Sequence, residues 1–372
     1  MNRPLLFGLV VALLTLPPAA APAAPIEDEL VVQTPMSAFV VDSMLKDFVQ
    51  YARERWGVTL KTRVLRAGTP VSHETIVKWK GRPEADVFWG GESALFDDLE
   101  AKKLLVRLDV PADLWDAIPA TTGTPKPIPL KDPQRFWVGT ALEVYGVAFS
   151  PRLLKRLGVP EIRDWDDVLN PKLKGQVAQC TPTRSSSSHA TYEVILQSRG
   201  ERDGWEWLKR LAANTGAFVS SSREVPAVVA RTEFAVGFGV PSYYAFEEKL
   251  AGFDIRFVAP RNAFVTPEPF AILEGARHPR AALQFLTFLL SERGQQLFMG
   301  RGLFPVTPKY KVHGPPGSTA ELAVQLTGGV RSFFDPPASN VYDDAVARRR
   351  YREVNERFQK DIEAVWPELK KR

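Results

Sequence analysis

The chain has 372 residues, of which 45% are hydrophobic and 24% are charged, and its net charge is +5. This is the composition of a soluble globular protein. The only cysteine, Cys180, excludes an intramolecular disulfide and any metal site built on cysteine pairs. The basic run at 348–352 lies among acidic residues and is typical of a solvated helix face, so no nucleic-acid partner is expected.

The N-terminus has the pattern of a signal peptide, which we predict over residues 1–23. A basic start at Met1–Arg3 precedes the apolar run Leu5–Leu16, which is too short to span a bilayer. The small residues of Ala21–Ala23 fit a signal-peptidase site, and no cysteine follows that would carry a lipid anchor. The pattern therefore predicts an exported, periplasmic protein.

The first part of the mature chain alternates predicted strands and helices. Strands are predicted at Glu29–Gln33, Thr59–Leu65 and Asp86–Trp89. Helices are predicted at Ala38–Trp56, His73–Lys80 and Ser93–Lys102. This order favours an α/β fold with a mainly parallel sheet covered by helices.

A long β-rich stretch, Val138–Phe149, separates this unit from a second α/β unit. The second unit has predicted strands at Gln176–Cys180, Phe234–Val240 and Ile255–Val258, and predicted helices at Ser187–Gly200, Asp203–Asn214, Val225–Ala230 and Ser242–Leu250. A return strand at Pro269–Leu273, helices at Pro279–Leu290 and Glu292–Met299, and a long amphipathic segment at Val341–Leu369 complete the chain.

Two α/β units with two crossings predict two lobes and a cleft between them. We expect lobe one to comprise 24–135 plus 265–340, lobe two to comprise 136–264, and 341–372 to form a C-terminal helical tail that packs on lobe one. Open α/β sheets bind ligands at the carboxyl ends of their strands, so the cleft is the expected binding site.

The run after the strand at Gln176–Cys180 has the pattern of an anion site. It begins a helix, whose first backbone N–H groups and partial positive charge favour an anion. Serine hydroxyls add donors, and an arginine adds a forked cation, whereas helix capping alone needs only one serine. The candidate ligand-binding residues here are Thr183, Arg184, Ser185, Ser186, Ser187 and His189.

Two loops of lobe one occupy the equivalent position after their strands. Ser37 either caps its own helix or donates to a ligand. Gly91 lets the backbone approach a ligand closely. Glu92 is a candidate for binding a metal or an amine, or it simply lies near the start of the next helix.

Several segments, in order, resemble the type II periplasmic solute-binding proteins of ABC importers. They are Ala85–Trp89, Thr140–Ser150, Trp165–Gly175, His278–Gln295 and Phe304–Val306. They are most similar to the group that holds ferric-iron, phosphonate and phosphoglycerate or sugar-phosphate binders. The resemblance covers nearly the whole mature chain and implies a two-lobed fold with the ligand cleft between the lobes.

The resemblance leaves two kinds of ligand open. Tyr243 and Tyr244 are similar in position to the tandem tyrosines of ferric binders, and phenolate oxygens suit Fe³⁺, which would be cargo and not a cofactor. Phosphate-type relatives also carry aromatic residues there, and a tyrosine pair at a helix start is often a packing feature. The crossover strand lacks the arginine usual in ferric binders, which favours a small anionic organic solute.

The implied function is that of a monomeric binding protein that delivers a small anionic solute to an inner-membrane ABC permease. A ferric-binding protein and a ligand sensor for a membrane histidine kinase are the alternatives. An enzyme is not expected: Ser188 and His189 are adjacent on a helix and do not face each other, and no nucleophile-elbow or phosphate-loop motif is present. No cofactor is expected.

Overall fold

The computed structural model describes residues 26–122, 126–334 and 341–371. The predicted signal peptide, residues 1–23, lies outside the described residues. Within the described ranges, no helix is both long enough and apolar enough to cross a membrane.

The strands of the described residues form one continuous sheet. They are β1 (Glu29–Thr34), β2 (Lys61–Arg66), β3 (Val87–Trp89), β4 (Leu105–Val106), β5 (Val138–Phe149), β6 (Val177–Cys180), β7 (Thr215–Val219), β8 (Val236–Pro241), β9 (Arg256–Val258), β10 (Val265–Leu273) and β11 (Phe304–Pro305). The main order is β2-β1-β3-β10-β5-β8-β6-β7, with β4 on β10 and with β9 and β11 on β5.

The sheet is parallel towards its two ends and antiparallel in the middle. β1 pairs in parallel with β2 and β3, and β6 pairs in parallel with β7 and β8. The central strands β5 and β10 run antiparallel to each other and to their outer neighbours. The two parallel groups therefore correspond to the two predicted α/β units. The long strands β5 and β10 lie between these groups and connect them.

The helices cover both faces of this sheet. They are α1 (Ala38–Trp56), α2 (Thr69–Trp79), α3 (Ser93–Ala101), α4 (Ala112–Asp116), α5 (Pro151–Leu157), α6 (Ser186–Arg199), α7 (Glu201–Asn214), α8 (Glu224–Ala230), α9 (Ser242–Leu250), α10 (Pro279–Leu290), α11 (Glu292–Met299), α12 (Thr319–Leu326), α13 (Asp344–Phe358) and α14 (Trp366–Leu369). A π-helical turn, Gln359–Glu363, follows α13 directly.

The chain is a two-lobed α/β protein, and β5 belongs to both lobes. Residues up to Val144 pair with β10 and β11, whereas residues from Tyr145 onward pair with β8 and β9. We call β1–β4, β10, β11 and the first part of β5 the first lobe, and β6–β9 and the second part of β5 the second lobe. The residue boundaries predicted for the lobes stay a prediction.

Two of the differences from the predicted elements concern the cleft. α2 begins at Thr69 and not at His73, because Pro70 occupies the first turn, where a missing N–H costs nothing. β7 was missed, because the polar start and the partly exposed middle of Thr215–Val219 give no alternating pattern. Both differences matter for the cleft, since each adds an element end to it.

The C-terminal segment packs on the second lobe, and the prediction that it packs on the first lobe was wrong. Val354, Phe358, Ile362 and Leu369 are buried in one hydrophobic cluster with Tyr192 of α6. The amphipathic pattern predicts that one side of the segment is buried, but it does not indicate which surface covers that side.

The start of α13 also reaches the first lobe. Arg348 forms an ion pair with Asp97 and donates a 2.8 Å hydrogen bond to Ser93, and both of these residues lie on α3. Arg350, two residues on, lies 3.4 Å from Glu193 of α6. The C-terminal helix therefore contacts both lobes beside the cleft.

We expect Phe358→Ala to lower the free energy of unfolding by about 3–5 kcal/mol, because it removes a fully buried ring that stacks on Tyr192 at 4.7 Å. Urea denaturation measures the effect. The matched control is Phe253→Ala, since Phe253 is 39% exposed and its loss should cost about 0.5 kcal/mol or less. Equal small effects for the two variants would contradict the described packing of the tail.

Candidate functional site

A cavity of about 200 Å³ lies between the two lobes. Its wall is made by the loops that follow the parallel strands. Residues after β1, β2 and β3 come from the first lobe, and residues after β6, β7 and β8 come from the second. Because parallel strands end at the same edge of a sheet, the carboxyl ends of both groups meet at this cavity.

The first turn of α6 forms one part of the second-lobe wall. Ser185 is its N-cap, and the Ser185 hydroxyl accepts a 3.3 Å hydrogen bond from the amide of Ser188. Ser186 and Ser187 follow, and all three of Ser185–Ser187 line the cavity. The first amides of a helix have no acceptor inside the helix, so this turn presents N–H groups and hydroxyl groups together.

Three arginines surround the mouth of the cavity. Arg66 is the last residue of β2 and forms an ion pair with Asp42, and Arg223 lies 3.1 Å from Glu247. Arg184 is exposed, and it has no ion-pair partner among the described residues. The cavity therefore has a cationic rim, with one guanidinium group that is free to pair with a ligand.

Two buried carboxyl groups, those of Glu143 on β5 and Glu268 on β10, form the floor of the cavity. Burial and the proximity of Glu268 raise the pKa of Glu143 well above its usual value. Burial also raises the pKa of Glu268 to about 7, although a 3.0 Å hydrogen bond from the amide of Gly91 acts against this rise. The two groups thus share a site in which both cannot easily be ionised at once.

Tyr243 and Tyr244 complete the wall at the start of α9. Their ring centroids are 4.3 Å apart, and the Tyr244 hydroxyl donates a 3.3 Å hydrogen bond to the carbonyl of Pro35 in the first lobe. Burial raises the pKa of both phenols. The nearby glutamates act in the same direction, so both tyrosines are neutral phenols in this arrangement.

The two lobes touch across the cavity. The hydroxyls of Thr69 on α2 and Ser186 on α6 are 3.0 Å apart. A Cβ atom placed on Gly68 would lie 2.8 Å from the carbonyl oxygen of Arg184. The cleft is therefore closed at this point, and the absence of a side chain at Gly68 permits the close approach.

Of the predicted ligand-binding residues, seven line the cavity and four do not. Those that line it are Gly91, Arg184, Ser185, Ser186, Ser187, Tyr243 and Tyr244. Those that lie elsewhere are Ser37, Glu92, Thr183 and His189. Ser37 caps α1 through a 3.4 Å hydrogen bond from the amide of Val40, and the Thr183 hydroxyl lies 3.1 Å from that of Thr181.

Glu92 and His189 are buried beside the C-terminal helix and not in the cavity. Burial and the proximity of Asp344 raise the pKa of Glu92 to about 8. His189 lies 2.8 Å from Asn355, and burial lowers its pKa to about 4. Consecutive helical residues point in different directions. The start of α6 therefore brings Ser185–Ser187 to the cavity but not Ser188 or His189.

The sequence analysis missed several cavity residues. They are Glu143, Glu268, Arg66, Thr69, Ser221, Ser222 and Arg223. Glu143 carried a usable signal, because it is the one charged residue in a strand that is buried along its whole length. Glu268 lies within β10, and the others lie at element ends whose approach to the cleft depends on strand order.

The metal-binding potential of the site is limited. Among residues 26–122, 126–334 and 341–371, no three His, Cys, Asp or Glu side chains cluster as a metal site. The two phenols and two glutamates of the cavity are oxygen donors of the kind that suits Fe³⁺, but the phenols would first have to lose their protons.

The sequence has named relatives. Residues 31–304 match the family model of the bacterial extracellular solute-binding proteins. The chain is 26% identical to an uncharacterised protein of Haemophilus influenzae, over 65% of this chain and 69% of that protein. It is 25% identical to a putative 2-aminoethylphosphonate-binding periplasmic protein of Salmonella typhimurium, over 64% of this chain and 66% of that one.

A third relative is the phosphoglycerate transport regulatory protein PgtC of Salmonella typhimurium. The identity is 26% over 46% of this chain, and the match spans less than half, 43%, of that protein.

Solved structures of two periplasmic binding proteins have the same fold. AfuA of Actinobacillus pleuropneumoniae, with fructose-6-phosphate bound, superposes with a TM-score of 0.73 and 22% identity, over 90% of this chain and 98% of that one. The apo ferric ion-binding protein A of Pasteurella haemolytica superposes with a TM-score of 0.67 and 15% identity, over 90% of this chain and 98% of that one.

The family match covers most of the chain, and the fold and the interlobe cavity agree with it. The family and the two structural neighbours are binding proteins and not enzymes. The chain therefore belongs to the bacterial extracellular solute-binding proteins, the substrate-binding components of ABC-type transport.

Proposed function

We propose that this protein captures a small phosphate- or phosphonate-bearing solute in the interlobe cavity and delivers it to an ABC permease of the inner membrane. The observation that carries the proposal is the juxtaposition of the α6 N-terminus with the unpaired guanidinium of Arg184. Helix amides, two serine hydroxyls and an arginine fork form a donor set that matches the oxygens of a phosphate group.

The charges of the rim support an anion. Arg66 and Arg223 already have carboxylate partners outside the cavity, so they contribute mainly to the local potential. Arg184 is the residue best able to pair directly with a ligand. The ligands of two relatives, 2-aminoethylphosphonate and fructose-6-phosphate, carry the same kind of group.

Capture by closure is the expected mechanism. The Thr69–Ser186 and Tyr244–Pro35 contacts join the lobes on the two sides of the cavity. A ligand that contacts both lobes favours the closed state in proportion to its extra contacts there. The closed form is then the one that docks the permease in the periplasm.

Ferric ion is the second candidate cargo. Tyr243, Tyr244, Glu143 and Glu268 all line the cavity, and the fold is shared with a ferric ion-binding protein. The raised pKa of both phenols makes this candidate the weaker one, because Fe³⁺ must displace two protons in a buried site.

A sensing role differs from transport only in the membrane partner. The name of PgtC includes a regulatory role, so a membrane histidine kinase is the alternative partner of the closed form. Deletion of the gene distinguishes the two roles: loss of solute uptake supports transport, whereas loss of solute-induced expression with intact uptake supports sensing.

We expect Arg184→Gln combined with Ser187→Ala to weaken binding of phosphate-bearing ligands by at least about tenfold, because two donors to the anion are lost. Titration calorimetry with 2-aminoethylphosphonate, 3-phosphoglycerate and fructose 6-phosphate measures the effect. The control is Arg202→Gln, since Arg202 is exposed on α7 and pairs only with Asp203. Unchanged affinity in the double variant would overturn the proposed anion site.

We expect Gly68→Ala to weaken ligand binding without lowering the free energy of unfolding. Its φ of −57° suits alanine, but the new Cβ would meet the Arg184 carbonyl at 2.8 Å and hold the lobes apart. Calorimetry and urea denaturation measure the two quantities. Gly300→Ala is the control, because it sits within the first lobe at a φ of −67°, with a hydroxyl at 3.3 Å as its nearest neighbour. Wild-type affinity in Gly68→Ala would show that closure at this contact is not needed.

We expect protein from an iron-replete culture to be colourless and iron-free, because the buried phenols of Tyr243 and Tyr244 hold their protons. Visible absorbance and metal analysis measure this. A phenolate-to-iron charge-transfer band at about one iron per chain, lost in Tyr243→Phe, would replace the phosphate proposal with the ferric one.

A further inference from the structure

We propose that the carboxyl pair of Glu143 and Glu268 is the binding site for a protonated amine, so that the cargo is a zwitterion carrying an amine and a phosphate or phosphonate group. This inference rests on the proposed function and names the substrate class for the same cavity. Nothing in the names of the family or its members assigns a role to these two residues.

The two glutamates lie side by side because their strands are neighbours. In the β5–β10 ladder, Glu143 is opposite Thr266, and Glu268 is two residues further along β10. Residues i and i+2 of a strand point to the same face, so Glu268 shares the face of Thr266 and of its partner Glu143. Glu268 is thereby aimed at the same cavity as Glu143, and both residues are 2% exposed.

The hydrogen bonds of the pair leave one acceptor unused. Oε1 of Glu143 accepts hydrogen bonds from the hydroxyls of Tyr145 and Thr266. Oε2 of Glu143 is buried and accepts no hydrogen bond from a donor of the described residues other than a proton shared with the Glu268 carboxyl group, so it is left without a donor when the pair is fully ionised. Oε2 of Glu268 accepts from the Gly91 amide at 3.0 Å. A buried carboxylate oxygen without a donor is costly, and a ligand N–H group would satisfy it.

The protein supplies no cation for the pair. Neither Glu143 nor Glu268 has a Lys, Arg or His within ion-pair distance in the described parts of the chain. The cavity arginines are at the rim, where Arg66 and Arg223 are held by other carboxylates. Two buried carboxyl groups without a counter-charge are expensive to ionise, and a ligand ammonium provides that counter-charge.

The arrangement of charge along the cavity then matches one ligand shape. Cationic and N–H donor groups occur at the Arg184–Ser187 wall, and acceptor groups occur at the floor. A phosphate at the wall and an ammonium at the floor complement both ends. A polyol phosphate is the competing class, since a protonated pair can also exchange hydrogen bonds with hydroxyl groups.

The ionisation state of the pair gives the inference a second signature. Because the pKa of both carboxyl groups is raised by burial, the free pair retains a proton near neutral pH. An ammonium favours the ionised form, so its binding releases a proton and strengthens as pH rises through about 7. The other ionisable groups facing the pair are Tyr145, Tyr243 and Tyr244, whose raised pKa keeps them protonated there, and the rim arginines.

The test compares 2-aminoethylphosphonate with ethylphosphonate, which has the same head group and no amine. By titration calorimetry we expect wild-type protein to prefer the amine at least about tenfold, and Glu143→Gln and Glu268→Gln each to lose most of that preference. Glu206→Gln on the exposed face of α7 is the matched control. The amine lowers the second phosphonate pKa of 2-aminoethylphosphonate, so the two ligands are compared at a pH at which both phosphonates are dianions.

The outcomes separate this inference from the proposed function. No wild-type preference for the amine, or a preference that persists in both glutamine variants, overturns the amine site. Tighter binding of fructose 6-phosphate than of either phosphonate assigns the pair to hydroxyl groups and also overturns it. Failure of all three compounds to bind overturns the proposed function instead. If a variant does not fold, the comparison of 2-aminoethylphosphonate with ethylphosphonate on the wild-type protein decides the matter, because the two compounds differ in the amine.

Discussion

β5 is the strand on which the rest of the molecule depends. Its twelve residues are buried from end to end, and it pairs with first-lobe strands over one part and with second-lobe strands over the other. A strand that is hydrogen-bonded on both sides in both lobes cannot be shifted without breaking both ladders. The relative position of the two sets of strand ends, and therefore the cavity between them, is fixed by this one element.

The same strand explains why the cavity has a charged floor. A fully buried strand is normally apolar, and a carboxyl group in it is retained only if its surroundings or a ligand satisfy it. Glu143 is partly satisfied by Tyr145 and Thr266, and Glu268 by Gly91. The rim, by contrast, has arginines and a helix N-terminus. The cavity therefore separates positive and negative groups over a short distance, and the ligand class that we propose follows from this separation.

The C-terminal helix adds a second connection between the lobes beside the cleft. Arg348 reaches α3 of the first lobe, while Phe358 is anchored on α6 of the second. Between these anchors lies a buried polar region in which both carboxylate oxygens of Glu92 have no hydrogen-bond partner. Helix α6 thus has two different faces: its first turn borders the cavity, and its following turns support the C-terminal helix.

The sequence by itself determined the α/β class, the long central strand, the serine-rich helix start and the tandem tyrosines, because periodicity and capping chemistry are local properties. It also indicated that a helix N-terminus after β6 would suit an anion. Only the tertiary structure decided which residues meet. Glu143 and Glu268 are 125 residues apart in the numbering, and the antiparallel pairing of β5 with β10 brings them to one floor. His189 and Glu92 face the C-terminal helix and not the cavity. The sequence could not show this, because an amphipathic pattern does not specify which surface the helix covers.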